Sequence, residues 1–195
     1  ELTEKYLEGG ELTSEEIING LQNMIIKNET VPIFFCSSLN NIGVKEAINL
    51  IVQLAPPSNY KEKIKLLDAN DSSKEVEIQT NPDESFTGLV FKTVIDQFAG
   101  KITFLRVLSG RVHSEEDILN SSKNKKERLS KLQIPFGKSQ KPLDRDAEEG
   151  DIVILTKLPY AETGDTLSYI KRPIIFPKIS LPYPIHSMAI KAKNK

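Results

Sequence analysis

Hydrophobic and polar positions change period along the chain, and the changes divide it. From Thr13 the repeat is helical, with Ile17, Leu21, Met24 and Ile25 on one stripe. Thr13 and Glu16 have capping-box spacing, in which each side chain satisfies a backbone N–H left open at the helix start. A helix over residues 13–24 is predicted. "VPIFFCSS", from Val31, is a short apolar run bounded by turn residues, the pattern of a fully buried strand in a parallel sheet. A polar loop over residues 39–43 leads to a second predicted helix at 44–54, with Val44, Ala47, Ile48, Ile51 and Val52 as its buried stripe. Helix, strand, loop, helix is the order of an α/β sheet. One parallel strand is not a sheet, so its neighbours are expected outside this chain. Residues 1–56 read as the C-terminal part of such a domain. Its bare strand edge is expected to be mobile, to pair with another copy or to lean on the barrel.

"LAPPSN" breaks that pattern, because two prolines fix φ and remove backbone donors. Residues 57–85 are polar and read as a linker with at most a short strand at 75–79. From Phe86 the period becomes two. Leu89, Phe91 and Thr93 are expected on one face, and Val90, Lys92 and Val94 on the other. Residues 96–100 form the predicted hairpin loop, 101–107 the return, and Ser109-Gly110 a further turn toward 111–113. More strands are expected at 129–136, 152–156 and 166–169. "EEGD" and "ETGD" are the turns before the last two. Short strands with turns between them suggest a closed barrel or sandwich over residues 86–175. Strands apolar on both faces fit a barrel partly covered by neighbouring domains. Residues 176–195 read as a linker, then the first strand of another domain at 185–190.

Composition narrows the function classes only a little. The 195 residues are 38% hydrophobic and 27% charged, with a net charge of -1. No global charge argues for nucleic acid or membrane, although a local basic face is compatible with it. The single cysteine, Cys36, excludes an internal disulfide, fits a reducing compartment and is expected to be a small buried apolar residue. No apolar run is long enough to span a bilayer. The acidic start is no signal peptide. It lacks Met, as expected of a processed or cloned piece.

Catalytic patterns are scarce. His113 and His186 lie far apart, and no set of about four convergent zinc ligands is spaced for a metal. Glu115, Glu116 and Asp117 read as a solvated edge. "FGKS" at 136–139 imitates a phosphate loop, but Leu132 stands at the first glycine position and Pro135 removes a donor. "NKKE" at 124–127 imitates a guanine-specificity motif but ends in Glu127. Lys92, Lys101, Arg106 and Arg111 lie on or beside the hairpin. Each is either a phosphate contact or an intramolecular partner of acids such as Asp96, and Arg106 suits a structural salt bridge.

"KYLEGGELTSEEI", "VPIFFCSSLNNIGVKEAINLIV", "FTGLVFKTVIDQFAGKITFLRVLSG", "EEGDIVIL", "TGDTL" and "YPIHSMAIK" stand in the order seen in elongation factor G. The chain resembles the end of that family's GTPase domain, its whole second domain and the opening of its third. The resemblance implies a mainly β chain: a translation-factor-type β-barrel, preceded by a partial α/β (GTPase) segment and followed by the first strand of an α+β domain. It implies a parent that binds GTP and Mg²⁺ and hydrolyses GTP on the ribosome in translocation or a related step.

Ser37, Ser38 and Leu39 then correspond to the guanine loop, whose backbone N–H groups reach the base. Lys92, Lys101 and Arg111 become candidate contacts to small-subunit ribosomal RNA. Without a phosphate loop the chain itself is expected to hold no cofactor, no metal and no catalytic residue. The resemblance implies a cytoplasmic protein whose partner is the ribosome, not membrane or DNA. Three departures favour a divergent paralogue: Ser37-Ser38-Leu39 for a Gly-Ser-Ala-like loop, Pro135-Phe136 for a Met-His pair, and Lys191-Ala192 where an acid is usual. A non-catalytic ribosome- or RNA-binding barrel, or a ribosomal-protection tetracycline resistance factor, are the alternatives.

Overall fold

The structure, a computed structural model, describes residues 2–61, 63–71, 73–97, 100–137, 139–178, 183, 185–191 and 193. It divides into two compact units, Glu1–Lys61 and Glu62–Lys195.

The first unit holds α1 (Leu2–Leu7), α2 (Ser14–Ile26) and α3 (Val44–Leu54). The predicted capping box starts α2: the Glu16 amide donates to Thr13 Oγ1 at 3.2 Å, and the Thr13 amide donates to Glu16 Oε2 at 2.8 Å. Lys5 Nζ donates to Glu16 Oε1 at 2.7 Å, tying α1, which the sequence pattern did not suggest, to α2. The Lys5 hydrogen bond, then the Thr13 amide, hold the Glu16 carboxyl far below its ordinary range, at about 2. The Gln22 side-chain amide donates to the Gln53 carbonyl, joining α2 to α3.

The predicted buried strand at 31–36 is not found. These residues make no ladder, Ile33 is 83% and Phe35 95% exposed, and Cys36 is exposed rather than buried. The stripe of α3 is likewise open: Ile48, Ile51 and Val52 face solvent and only Leu54 is buried. The reason is physical. A parallel strand is buried by partners on both edges and helices on its faces, and among the described residues this unit has no named strand at all.

The second unit begins where a linker was expected. β1 (Lys63–Asp68) and β2 (Glu75–Gln79) form an antiparallel hairpin. Its turn is fixed by the Asn70 amide donating to Asp68 Oδ1 at 2.8 Å and the Ser73 amide to Asp71 Oδ1 at 3.1 Å. There follow β3 (Thr87–Asp96), β4 (Gly100–Ser109), β5 (Arg111–Val112), β6 (Asp117–Asn120), β7 (Lys125–Arg128), β8 (Gln133–Phe136), β9 (Ser139–Pro142), β10 (Ala147–Glu148), β11 (Ile152–Thr156), β12 (Thr166–Ser168) and β13 (Ile174–Ile175). β13 joins β1 over a small core of Leu66, Ile78 and Ile174.

The large sheet is antiparallel, in the order β7-β6-β12-β3-β4-β11-β8-β9, with β5 and β10 paired beside it. Its strands wrap one core: Phe86, Val90, Leu105, Ile118, Leu155 and Leu167 are all fully buried. The unit is a β-barrel-like body, as the alternating pattern predicted.

A bulge corrects the assignment of faces in β3. Val90 pairs with Leu105, yet Lys92 pairs with Phe104, so the register slips at Phe91. Val90 and Lys92 therefore lie on opposite faces, and the lysine that the pattern grouped with Val90 is exposed. Gly110 allows the turn after β4. Its φ is 70°, and a Cβ there would stand 2.5 Å from the Glu84 carbonyl oxygen and the Phe86 nitrogen.

Part of the hairpin loop predicted at 96–100, residues 98 and 99, lies outside the described residues. The strand expected at 185–190 is not formed: these residues join no ladder, and Ile185 and Ile190 are fully exposed. The rest of the expectation for 176–195 falls partly on residues 179–182, 184, 192, 194 and 195, which also lie outside the description.

Candidate functional site

Residues 37–42 make a tight loop closed on itself. The Ser37 amide donates to the Ile42 carbonyl at 2.9 Å, and the Ile42 amide returns to the Ser37 carbonyl at 3.0 Å. Asn41, with φ 53°, donates to the Ser38 carbonyl at 3.3 Å. Gly43 follows with φ 71° and leads into α3; a Cβ on it would come within 3.2 Å of the Phe35 carbonyl. This closure points Ser38 and Leu39 outward, Leu39 being 94% exposed. No bond from the Ser38 or Leu39 amide to an acceptor in the described chain is formed, so the loop offers two N–H donors to a carbonyl-type acceptor.

The basic candidates are dispersed by the fold. Lys92 is exposed on the outer face of β3, its ammonium 5.4 Å from the centre of the Phe104 ring. Lys101 is half-buried and donates to the Pro159 carbonyl at 3.2 Å. Arg111 reaches the Pro82 carbonyl at 3.1 Å and Asp83 Oδ1 at 3.2 Å, with Glu148 at 3.9 Å. Its partners are thus Asp83 and Glu148, not Asp96. Arg106, expected in a structural salt bridge, is exposed in β4 and forms no ion pair among the described residues. The period-two pattern placed it correctly in a strand, but that strand has an outer face with room for a solvated guanidinium.

Sequence reasoning missed a buried polar cluster between β6, β7 and the loop before β12. Asn120 Nδ2 donates to Asp165 Oδ2 at 2.9 Å, and the same oxygen accepts the Glu162 amide at 2.8 Å. Lys123 Nζ meets Glu162 at 2.6 Å, Asp165 at 3.3 Å and the Tyr160 carbonyl at 2.7 Å. Glu127 is 5% exposed. One of its oxygens accepts the Tyr160 amide at 3.4 Å and the other has no partner. Burial pushes its carboxyl above the ordinary range, against the Tyr160 amide, Asn120 and Lys101. This cluster clamps residues 159–165 to the barrel. Its only sequence signal was a lone glutamate, Glu127, inside a run of lysines and arginine.

Elsewhere, Glu116 Oε2 accepts the Tyr169 hydroxyl at 3.1 Å and the His113 amide at 3.1 Å, so one of the three consecutive acids is structural. Burial, then the Glu116 charge, push the Tyr169 phenol up to about 12. His113 Nδ1 lies 2.5 Å from Asp146 Oδ1. Arg145 forks onto both Asp151 oxygens at 2.6 and 2.9 Å. These are ties within the barrel wall.

Residues 85–169 match the family described as Elongation factor G domain 2. Among solved structures, the crystal structure of a protein from Thermus thermophilus is similar with a TM-score of 0.66 and 24% sequence identity, over 88% of this chain and 23% of that one. That likeness shows a shared fold. The chain spans less than a quarter of the length of that protein.

Proposed function

We propose, from the premise that residues 85–169 are an elongation factor G-type second domain, that this chain is a piece of a translation factor that hydrolyses GTP on the ribosome. The step it drives is translocation or a related one. The observation that carries the reading is the family match, which falls on the segment whose strands enclose the main core.

In this reading the chain is a scaffold between a nucleotide domain and a ribosome contact. The open amides of Ser38 and Leu39 fit one edge of a guanine, whose O6 is a carbonyl acceptor. GTP bound in the parent supplies the phosphoryl group transferred to water, with Mg²⁺ neutralising the developing charge. The sequence contains no G-x-x-x-x-G-K-[ST] run. Among the described residues no group of three or more His, Cys, Asp or Glu is placed to hold a metal ion. No step of the hydrolysis is therefore assigned to this chain. A cytosolic setting follows from the same reading. No helix among the described residues is long and apolar enough to cross a membrane.

Sedimentation of the chain with purified small ribosomal subunits tests the reading. Binding is expected to fall steeply between about 50 and 200 mM salt, because phosphate contacts release counterions. An affinity indifferent to salt contradicts contact with ribosomal RNA, and no co-sedimentation at low salt contradicts the ribosome reading itself.

A further inference from the structure

We propose that the β8–β9 hairpin is an RNA-contacting arm, with Phe136 as a stacking surface and Lys141 as a phosphate contact. This rests on the ribosome reading above and assigns the contact to residues outside the hairpin of β3 and β4.

The hairpin is built as a projection. β8 makes one ladder pair with β11, Ile154 with Gln133. Beyond it, among the described residues, the arm pairs only with itself, from Gln133 with Pro142 to Phe136 with Ser139. None of the described residues from 135 to 142 is buried, and Phe136 is 57% exposed. Two strands that add nothing to a core need another reason to hold one shape.

The surface of the arm is chemically one-sided. Lys141 stands opposite Ile134, and Phe136 is two residues beyond Ile134, so Lys141 and Phe136 share a face as diagonal neighbours. The Lys141 ammonium lies 3.4 Å from the centre of the Phe136 ring. From Leu129 to Leu143 the sequence contains lysines and no Asp or Glu. Elsewhere on the barrel several cations are matched by carboxylates, Arg111 with Asp83, Lys123 with Glu162, Arg128 with Asp117, Arg145 with Asp151 and Arg172 with Glu84, whereas Lys92 and Arg106 form no ion pair among the described residues. Lys141 and Lys131 form no such pair among the described residues.

Charge and edge chemistry select the partner. An exposed aromatic beside unmatched cations is the pairing by which bases stack while phosphates are neutralised. β9 ends the strand order and offers an open edge, but it carries Lys141 and Pro142, which discourage addition of a protein strand.

The test measures binding of the 195-residue protein to purified small subunits and to the protein-free ribosomal RNA extracted from them. Phe136→Ala is expected to weaken both by about tenfold, within the range for a lost base stack. Phe136→Trp is expected to keep affinity. Lys141→Gln is expected to reduce the slope of log K against log salt by about 1. Lys126→Gln, an exposed change on β7, serves as the control and is expected to bind as the parent does. Circular dichroism of each variant should be unchanged, since neither side chain is in a core. If the protein binds subunits and RNA while Phe136→Ala and Lys141→Gln bind equally well, the arm is excluded and the ribosome reading stands. Losses on intact subunits alone, with an unchanged salt slope, identify a ribosomal protein as the partner and overturn the RNA assignment. If the parent protein binds neither, the ribosome reading fails and takes the arm with it.

Discussion

The two units hold their secondary structure by different means. In the barrel, β3, β4, β11 and β12 each bury side chains in one core. In the first unit the helices carry apolar stripes just as regular, yet Ile17, Leu21, Met24, Ile48 and Ile51 all remain exposed. What holds that unit is mostly polar: a capping box, the Lys5–Glu16 pair, the Gln22–Gln53 bond between α2 and α3, and a glycine entering α3. An amphipathic pattern thus shows which face of a helix is prepared for burial, not that the burial occurs within the same chain. Isolated short helices are marginal in water, and most helical stability in proteins comes from packing an apolar face. The barrel meets that condition from its own residues, and the helical unit does not.

The largest effect that distinguishes the units comes from paired core truncations. Phe86→Ala is expected to lower the unfolding free energy of the barrel by about 3–5 kcal/mol. Ile51→Ala, an equally apolar position on paper, is expected to change stability by no more than about 0.5 kcal/mol. Urea unfolding of both variants measures this. Comparable losses would mean that the face of α3 is covered in solution. Next in size is the buried polar cluster. Asn120→Ala leaves Asp165 short of a partner and is expected to cost about 1–3 kcal/mol by the same measurement. A neutral result would mean that water replaces the amide.

How far these differences could be read in advance depended on range. Features set by near neighbours were legible: the Thr13–Glu16 box, the start of α3 after Gly43, and the antiparallel return after Phe86. Features set by distant partners were not. The run at 31–36 is apolar enough to be a core strand, but a strand needs a sheet, and sequence alone does not supply one. The slip at Phe91 leaves no mark in composition, so Lys92 was placed with Val90. β1 was hidden because Lys63 and Lys65 gave its stretch the look of a linker, while Ile64 and Leu66 alternated beneath them. Ser37–Leu39 fall in a turn before α3, although the strand expected to lead into them is not formed. The intramolecular partners of Lys101 and Arg111, and the burial of Glu127 within a run of lysines, were set by strands far away in sequence.

Smaller effects sharpen the contrast through titration. Glu16 has a folded-state pKa of about 2 against an ordinary 4.5. A depressed carboxyl contributes stability above its unfolded pKa and loses it as pH falls through the folded value. α2 should therefore fray between about pH 4.5 and 2, seen as loss of its amide protection, while the core strands of the barrel keep theirs. Glu127 has the opposite sign. Its carboxyl is raised by burial, so its charge is a burden at neutral pH that protonation relieves. Glu127→Gln is expected to stabilise the barrel slightly at about pH 7, with the gain vanishing on acidification. A variant less stable than the parent at neutral pH would show that the ionised form has a partner. The exposed Cys36 thiol should label with a thiol reagent in the native chain without denaturant. Labelling only after unfolding would mean that this region is covered.

Native-state amide hydrogen exchange on the whole chain tests most directly whether one unit is self-sufficient and the other is not. The account predicts that amides of β3, β4 and β11 exchange only through global unfolding, while those of α2 and α3 exchange through local openings costing at least about 2 kcal/mol less. Equal protection in α3 and β4 would contradict it.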